Sequence, residues 1–134
     1  MTATANIETA LKTGKRLVEL VNAGESRKAI EELYADNAEH HEATEEGEWG
    51  GVTTGKDAIL ESTDRWKDAH EIHSGNTDGP YPHQGRFICF MATELTAKEG
   101  PMAGQRMALK EACLYEVNPE GKITKAEFFY DAQG

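Results

Sequence analysis

Residues 111–130 read EACLYEVNPEGKITKAEFFY, two stretches of alternating side-chain character joined by Asn118-Pro119-Glu120-Gly121-Lys122. Asparagine, proline and glycine within five residues are the chemistry of a tight turn. Two alternating runs joined by so short a turn form an antiparallel hairpin, because a parallel pair needs a long crossover. In the first run Met107, Leu109, Glu111, Cys113 and Tyr115 alternate with Ala108, Lys110, Ala112, Leu114 and Glu116. The first set is mainly apolar and reads as the inward face of a sheet.

Working back from this hairpin, further strand-like segments lie at about 71–78 and 86–97, with the hairpin strands at about 105–118 and 122–130. The connecting stretches NTDGPYPHQGR (76–86) and AKEGPMAGQ (97–105) are rich in glycine and proline and read as turns. The amino-terminal half has a different period. Ile7, Ala10, Leu11, Leu17, Val18 and Val21 fall at helical spacing, and the helix ends at Asn22-Ala23-Gly24. SRKAIEELY (26–34) reads as a second, shorter helix, ADNA as its break, and 38–44 as a short strand. Residues 45–53, EEGEWGGVT, read as a loop. Thr54 with Asp57 resembles a capping box opening a third helix, with Ile59, Thr63, Trp66 and Ala69 or His70 on its apolar side. The order helix, helix, strand, helix and four meandering strands is an α+β domain, with an antiparallel sheet carrying helices on one face. When such a sheet curves around a helix it leaves a cone with one open end, a natural ligand pocket.

The 134 residues suit one domain, with a core over about 6–130. A net charge of −10 argues against nucleic acid or an anionic membrane as partner. No apolar run approaches the ~20 residues of a membrane helix, and MTATANIETALKTGK lacks the layout of a secretory leader. A cytoplasmic protein is expected. Cys89 and Cys113 both lie in apolar segments, so they read as small buried hydrophobes, not a disulfide framework.

LYADNA before the first strand, GKDAI at the third helix and GKITKAEFFY near the end resemble the nuclear transport factor 2-like superfamily. Within it the chain is most similar to the SnoaL-like polyketide cyclase group, over about Asn6 to Tyr130. The resemblance implies a cystatin-like α+β barrel: a cone-shaped curved antiparallel sheet packed against three helices. It also implies a homodimer through the outer sheet face, where Phe128, Tyr130, Ala112 and Leu114 would supply apolar surface. Members act as isomerases, dehydratases, epoxide hydrolases or cyclases, and some do not catalyse, so the site must carry the functional reading.

The paired histidines of NAEHHEAT (37–44) separate by strand alternation: His40 shares a face with Ala38 and Glu42, and His41 with Glu39. Composition does not say which face is inward. Laid against ketosteroid isomerases through YADNA, Glu42 falls where that family keeps its general base, which places Glu42 and His40 inside the cone. The same alignment brings Cys113 to about the position of that family's carboxylic acid, and the first helix has no tyrosine, so steroid isomerisation itself is not expected. Glu111, a carboxylate on an apolar face, is the second candidate. Glu127 either joins the pocket or pairs with Lys110. HEIH (70–73) is one residue short of the HExxH zinc signature. A set of His40, His73 and Glu42 would suit a metal, but the expectation is no metal and no cofactor. His73 either lines the pocket or caps the third helix, Trp66 forms a pocket wall, and Cys113 and Tyr115 border the pocket. Trp49 is a lid over the mouth or part of a dimer contact. The resulting expectation is an apolar small-molecule pocket. It belongs either to a cofactor-independent isomerase or lyase with Glu42 as base, and His40 or Glu111 assisting, or to a non-catalytic binding domain.

Overall fold

Asn6 opens the first helix, its side-chain oxygen accepting from the Thr9 N–H at 2.8 Å, which satisfies a donor that a helix start leaves free. In the structure, a computed structural model describing residues 5–45, 47 and 49–130, this helix is α1 (Ile7–Asn22). It stops just before Gly24, whose φ of 77° glycine adopts without strain. Ala10, Thr13, Gly14, Leu17 and Leu20 form its buried side, three or four residues apart. Gly14 meets Pro80 of the sheet, and a Cβ there would lie 2.6 Å from the Pro80 Cβ. The closest approach of helix to sheet therefore requires glycine.

Next come α2 (Ser26–Leu33), β1 (Tyr34–His41), β2 (Val52–Thr54) and α3 (Lys56–Ala69). Four long strands follow: β3 (His70–His83), β4 (Arg86–Ala97), β5 (Arg106–Val117) and β6 (Ile123–Phe129). The sheet order is β2-β1-β6-β5-β4-β3. The last four strands form the expected antiparallel meander, and β1 adds to β6 in parallel. Register shifts at Tyr34/Glu39, Ile72/Ser74, Asp78/Tyr81 and Glu116/Val117 bend the strands. The three helices pack on a curved, unclosed sheet, the α+β cone that the element order implies. The core lies between α1 and the sheet's inner face, where Phe87 stacks on Tyr115 at 4.9 Å beside Ile59, Val117 and Ile123. Truncating Phe87 to alanine would cost about 3–5 kcal/mol.

Several local expectations give way to tertiary context. β1 begins at Tyr34, directly after α2, because Tyr34 is drawn into the core beside Ile123 of β6. Part of the expected 45–53 loop is strand, since Val52 pairs with His41; Glu46 and Glu48 lie outside the described residues. Thr54 belongs to β2 and does not cap α3, whose N-cap is Gly55 at φ 97°. Pro80 and Pro82 lie within β3, a strand at the edge of the sheet, where missing N–H groups are tolerated. The turn into β4 shrinks to Gln84 and Gly85, and His83 pairs with Arg86. Residues 1–4 and 131–134 lie outside the description.

The outer-face expectation for β6 is reversed. Phe128 pairs with buried Cys113 and touches His40 edge-on at 4.9 Å, so it points inward, as does Tyr130. The outward apolar residues are Tyr81, Ile88, Phe90, Ala112, Leu114 and Phe129, in two cross-strand rows: Tyr81–Ile88–Leu114 and Phe90–Ala112–Phe129. Phe90 and Phe129 are each about half exposed, 51% and 50%.

Candidate functional site

β1 alternates as the sequence suggests. Ala38 and His40 face into the cone, while His41 turns outward and meets Glu39 at 2.8 Å. His40 is held in place by the buried Tyr34 hydroxyl, 2.7 Å from Nε2, and by the edges of Tyr34 and Phe128. Burial pushes the His40 pKa down to about 4, with the charge of His41 adding to the effect. The ring is therefore neutral at pH 7. Burial also raises the Tyr34 phenol, which keeps its proton. With its proton retained the phenol can donate to Nε2, and in that tautomer the neutral imidazole keeps Nδ1–H as its remaining donor.

Glu42 follows the end of β1 and its Oε2 accepts from the Tyr130 hydroxyl at 2.9 Å. Burial raises the Glu42 pKa, and the hydrogen bond from Tyr130 partly opposes the rise. Tyr130 in turn is pushed up by its own burial and by Glu42, so the phenol remains the donor. Glu111 points inward from β5, opposite Met91, and has no hydrogen-bond or ion-pair partner among the described residues. Burial, and then the charge of Glu42, raise it to about 7. The charge of Glu42 thus helps Glu111 keep its proton.

His40 and Glu42 wall a cavity of about 360 Å³ together with Trp49, Gly50, Thr53 and four residues of α3. Those four, Ala58, Glu61, Ser62 and Arg65, follow the i, i+3, i+4, i+7 spacing of one helix face. Most of the walls are polar. Glu111 is not among them; it borders a second hollow of about 310 Å³ with Phe90–Ala92 and Lys110–Ala112.

The remaining expected pocket residues divide. Trp49 is in the wall, its ring 5.8 Å from His70 and its face 5.6 Å from the Arg65 guanidinium carbon. Trp66 stands one layer back, stacked on His70 at 4.5 Å. Tyr115 and Cys113 are core: 2% and 0% exposed, they lie too deep in the sheet to border the cavity. Glu127 faces outward beside Lys125 at 3.4 Å, because its cross-strand neighbour Leu114 is an outer-face residue. It joins neither the pocket nor Lys110. His73 is exposed on β3 and meets Thr96 Oγ1 at 2.6 Å. The helix-capping role belongs to His70, whose Nδ1 lies 2.7 Å from the Trp66 carbonyl of the last turn of α3. β4, β5 and β6 separate β3 from β1 in the sheet order, and no group of three or more His, Cys, Asp or Glu among the described residues is placed to hold a metal.

Tyr130 and the α3 residues escape the sequence reading. The spacing of 58, 61, 62 and 65 was visible, but the apolar side read from the sequence runs through buried Ile59, and nothing local marks the neighbouring face as the one that meets the cavity.

Over residues 8–130 the chain matches the model of the SnoaL-like domain. It belongs to that family. Among solved structures, a SnoaL-like polyketide cyclase candidate from Mesorhizobium loti superposes on this SnoaL-like chain with a TM-score of 0.80 at 32% identity, covering 92% of this chain and 97% of the other. An NTF2-like protein from Burkholderia thailandensis shares the fold at TM-score 0.75 and 16% identity, over 91% and 90% of the two chains. A Mycobacterium tuberculosis protein in complex with estradiol-17beta-hemisuccinate does so at 0.70 and 16%, over 92% and 95%. None of the curated proteins matches the chain. Among the described residues no helix is long and apolar enough to cross a membrane.

Proposed function

We propose that this SnoaL-like domain is a small-molecule pocket protein that removes a proton from a carbon acid without a cofactor, an isomerase or lyase type of reaction. The observation that carries the reading is Glu42, a carboxylate with a raised pKa, steadied by Tyr130 in the wall of a cavity it shares with neutral His40. A carboxylate partly withdrawn from water is a better base near neutral pH. Deprotonation beside a carbonyl builds charge on oxygen, and the remaining His40 N–H is the donor for it, as neutral imidazoles do elsewhere. Glu111, holding its proton up to about pH 7, acts on the site through the charge it shares with Glu42.

The test is deuterium incorporation at the α-carbon of cyclic ketones and β-keto esters in heavy water, followed by NMR. Exchange above the buffer rate, reduced by about 10²–10⁴ in Glu42→Gln, is expected. Undiminished exchange in that variant would remove Glu42 from the role of base.

A second reading, binding without turnover, is favoured by one observation: Glu111 does not wall the cavity that Glu42 lines. It predicts ligand stabilisation that survives replacement of both Glu42 and His40. The bound estradiol hemisuccinate of the mycobacterial structure supports a cone that accepts a small molecule, apolar ligands included. The exposed rows around Phe90 and Phe129 support a homodimer through the outer sheet face, since apolar surface of this kind marks an interface.

A further inference from the structure

Among the described residues Arg65 is the one cation in the wall of the cavity, in a chain whose net charge is −10. Its setting is unusual for a surface arginine. Glu61 precedes it by four residues, the order in which a helical ion pair is favoured, yet no ion pair joins Arg65 to any described residue. Arg27 on α2, by contrast, takes both Glu31 and Asp64. The guanidinium of Arg65 instead lies over the Trp49 ring. A cation–π contact holds the group in place without using a carboxylate. Trp49 is itself backed by His70, tilted against it at 5.8 Å, and His70 stacks on Trp66 at 4.5 Å, so a row of three rings stands behind the guanidinium.

A planar fork of N–H donors, positioned by an aromatic wall and paired with no acid among the described residues, is what two-point recognition of a carboxylate uses. Ser62 and Thr53 in the same wall add hydroxyls. A cationic ligand would instead have to displace Arg65 from the ring face it occupies. We propose that Arg65 anchors a carboxylate group of the molecule that enters this cavity, placing the rest of that molecule toward His40 and Glu42. The proposal rests on the cavity being the ligand site of the reading above, not on Glu42 acting as base.

The test compares 2-naphthoate with 2-naphthamide, equal in shape and different in charge, by titration calorimetry against the wild type, Arg65→Gln, Arg65→Lys and Glu42→Gln. Arg65 is exposed, and circular dichroism checks that each variant folds. Naphthoate is expected to bind the wild type about tenfold more tightly than the amide, with the advantage shrinking as salt is raised. Arg65→Gln should abolish the preference without changing amide affinity, Arg65→Lys should restore part of it, and Glu42→Gln should keep it. Equal binding of the two probes to the wild type overturns the proposal. So does equal weakening of both by Arg65→Gln, no naphthoate binding at millimolar concentration, or tighter binding of 2-naphthyltrimethylammonium. A preference that persists where no deuterium exchange is found leaves the anchor standing and removes only the catalytic reading.

Discussion

Tyr130 and Glu42 lie 88 positions apart in the chain, and the tyrosine hydroxyl donates to the glutamate Oε2 at 2.9 Å. The bond ties the end of β6 to the end of β1, the two strands that pair in parallel. It stabilises the ionised form of Glu42 against the burial that favours the neutral one.

Tyr130→Phe removes the hydrogen bond that lowers the Glu42 pKa and leaves burial in place. The Glu42 pKa should therefore move further upward, and the acidic limb of any activity profile should move to higher pH with it. A ¹³C-detected titration of the glutamate side chains reads this directly. An unmoved Glu42 resonance would show that the hydroxyl does not bond the carboxylate in solution.

Glu111 and His40 make opposite contributions to stability over nearly the same pH range. Glu111 is raised from 4.5 to about 7, so the folded state holds its proton more tightly and stability falls as pH rises through that window. His40 is lowered from 6.5 to about 4, so the folded state disfavours its proton and stability falls as pH drops through that window. In the wild type these two slopes oppose each other. Glu111→Gln should gain on the order of 2 kcal/mol at pH 8 and expose the acid loss due to His40. Urea midpoints between pH 4 and 8 would show it, and parallel curves for the two proteins would refute it.

Glu42→Gln should also act at a distance, on Glu111. Without the Glu42 charge, only burial holds Glu111 up, and its pKa should fall below about 7. The same NMR titration measures the change, whatever the outcome of exchange assays.

Asn22 at the end of α1 uses both ends of its amide on Thr77 of β3: Nδ2 donates to the carbonyl at 3.0 Å and Oδ1 accepts from the N–H at 2.8 Å. Thr77 is buried, so Asn22→Ala leaves two backbone groups poorly satisfied. It should cost about 1–3 kcal/mol in chemical denaturation. A loss within error would mean that water replaces the amide.

Phe129→Lys places a charge in the middle of the outer apolar rows. Sedimentation should find a dimer for the wild type and a monomer for the variant, with little change in monomer stability because Phe129 is half exposed. A monomeric wild type would end the dimer reading.

The hairpin at 111–130, the helical period of α1 and the alternation of β1 are local properties, and the chain alone determined them. Side chains in a strand point to opposite faces whatever surrounds them, so His40 and His41 had to part and Glu111 had to share a face with Cys113. The SnoaL-like resemblance added where Glu42 falls. What local pattern cannot contain is which face of an even-handed strand is inward, and β6 shows the reason. Its two faces, one with Phe129 and the other with Phe128 and Tyr130, carry nearly equal apolar weight. The choice was made by cross-strand partners, Cys113 inward and Leu114 outward, through a register shifted at Glu116/Val117. That choice delivered Tyr130 to Glu42 and sent Glu127 to the surface. Tertiary packing alone likewise brought Arg65 of α3 over Trp49, two residues whose meeting depends on how a helix and a loop fold onto the same end of a sheet.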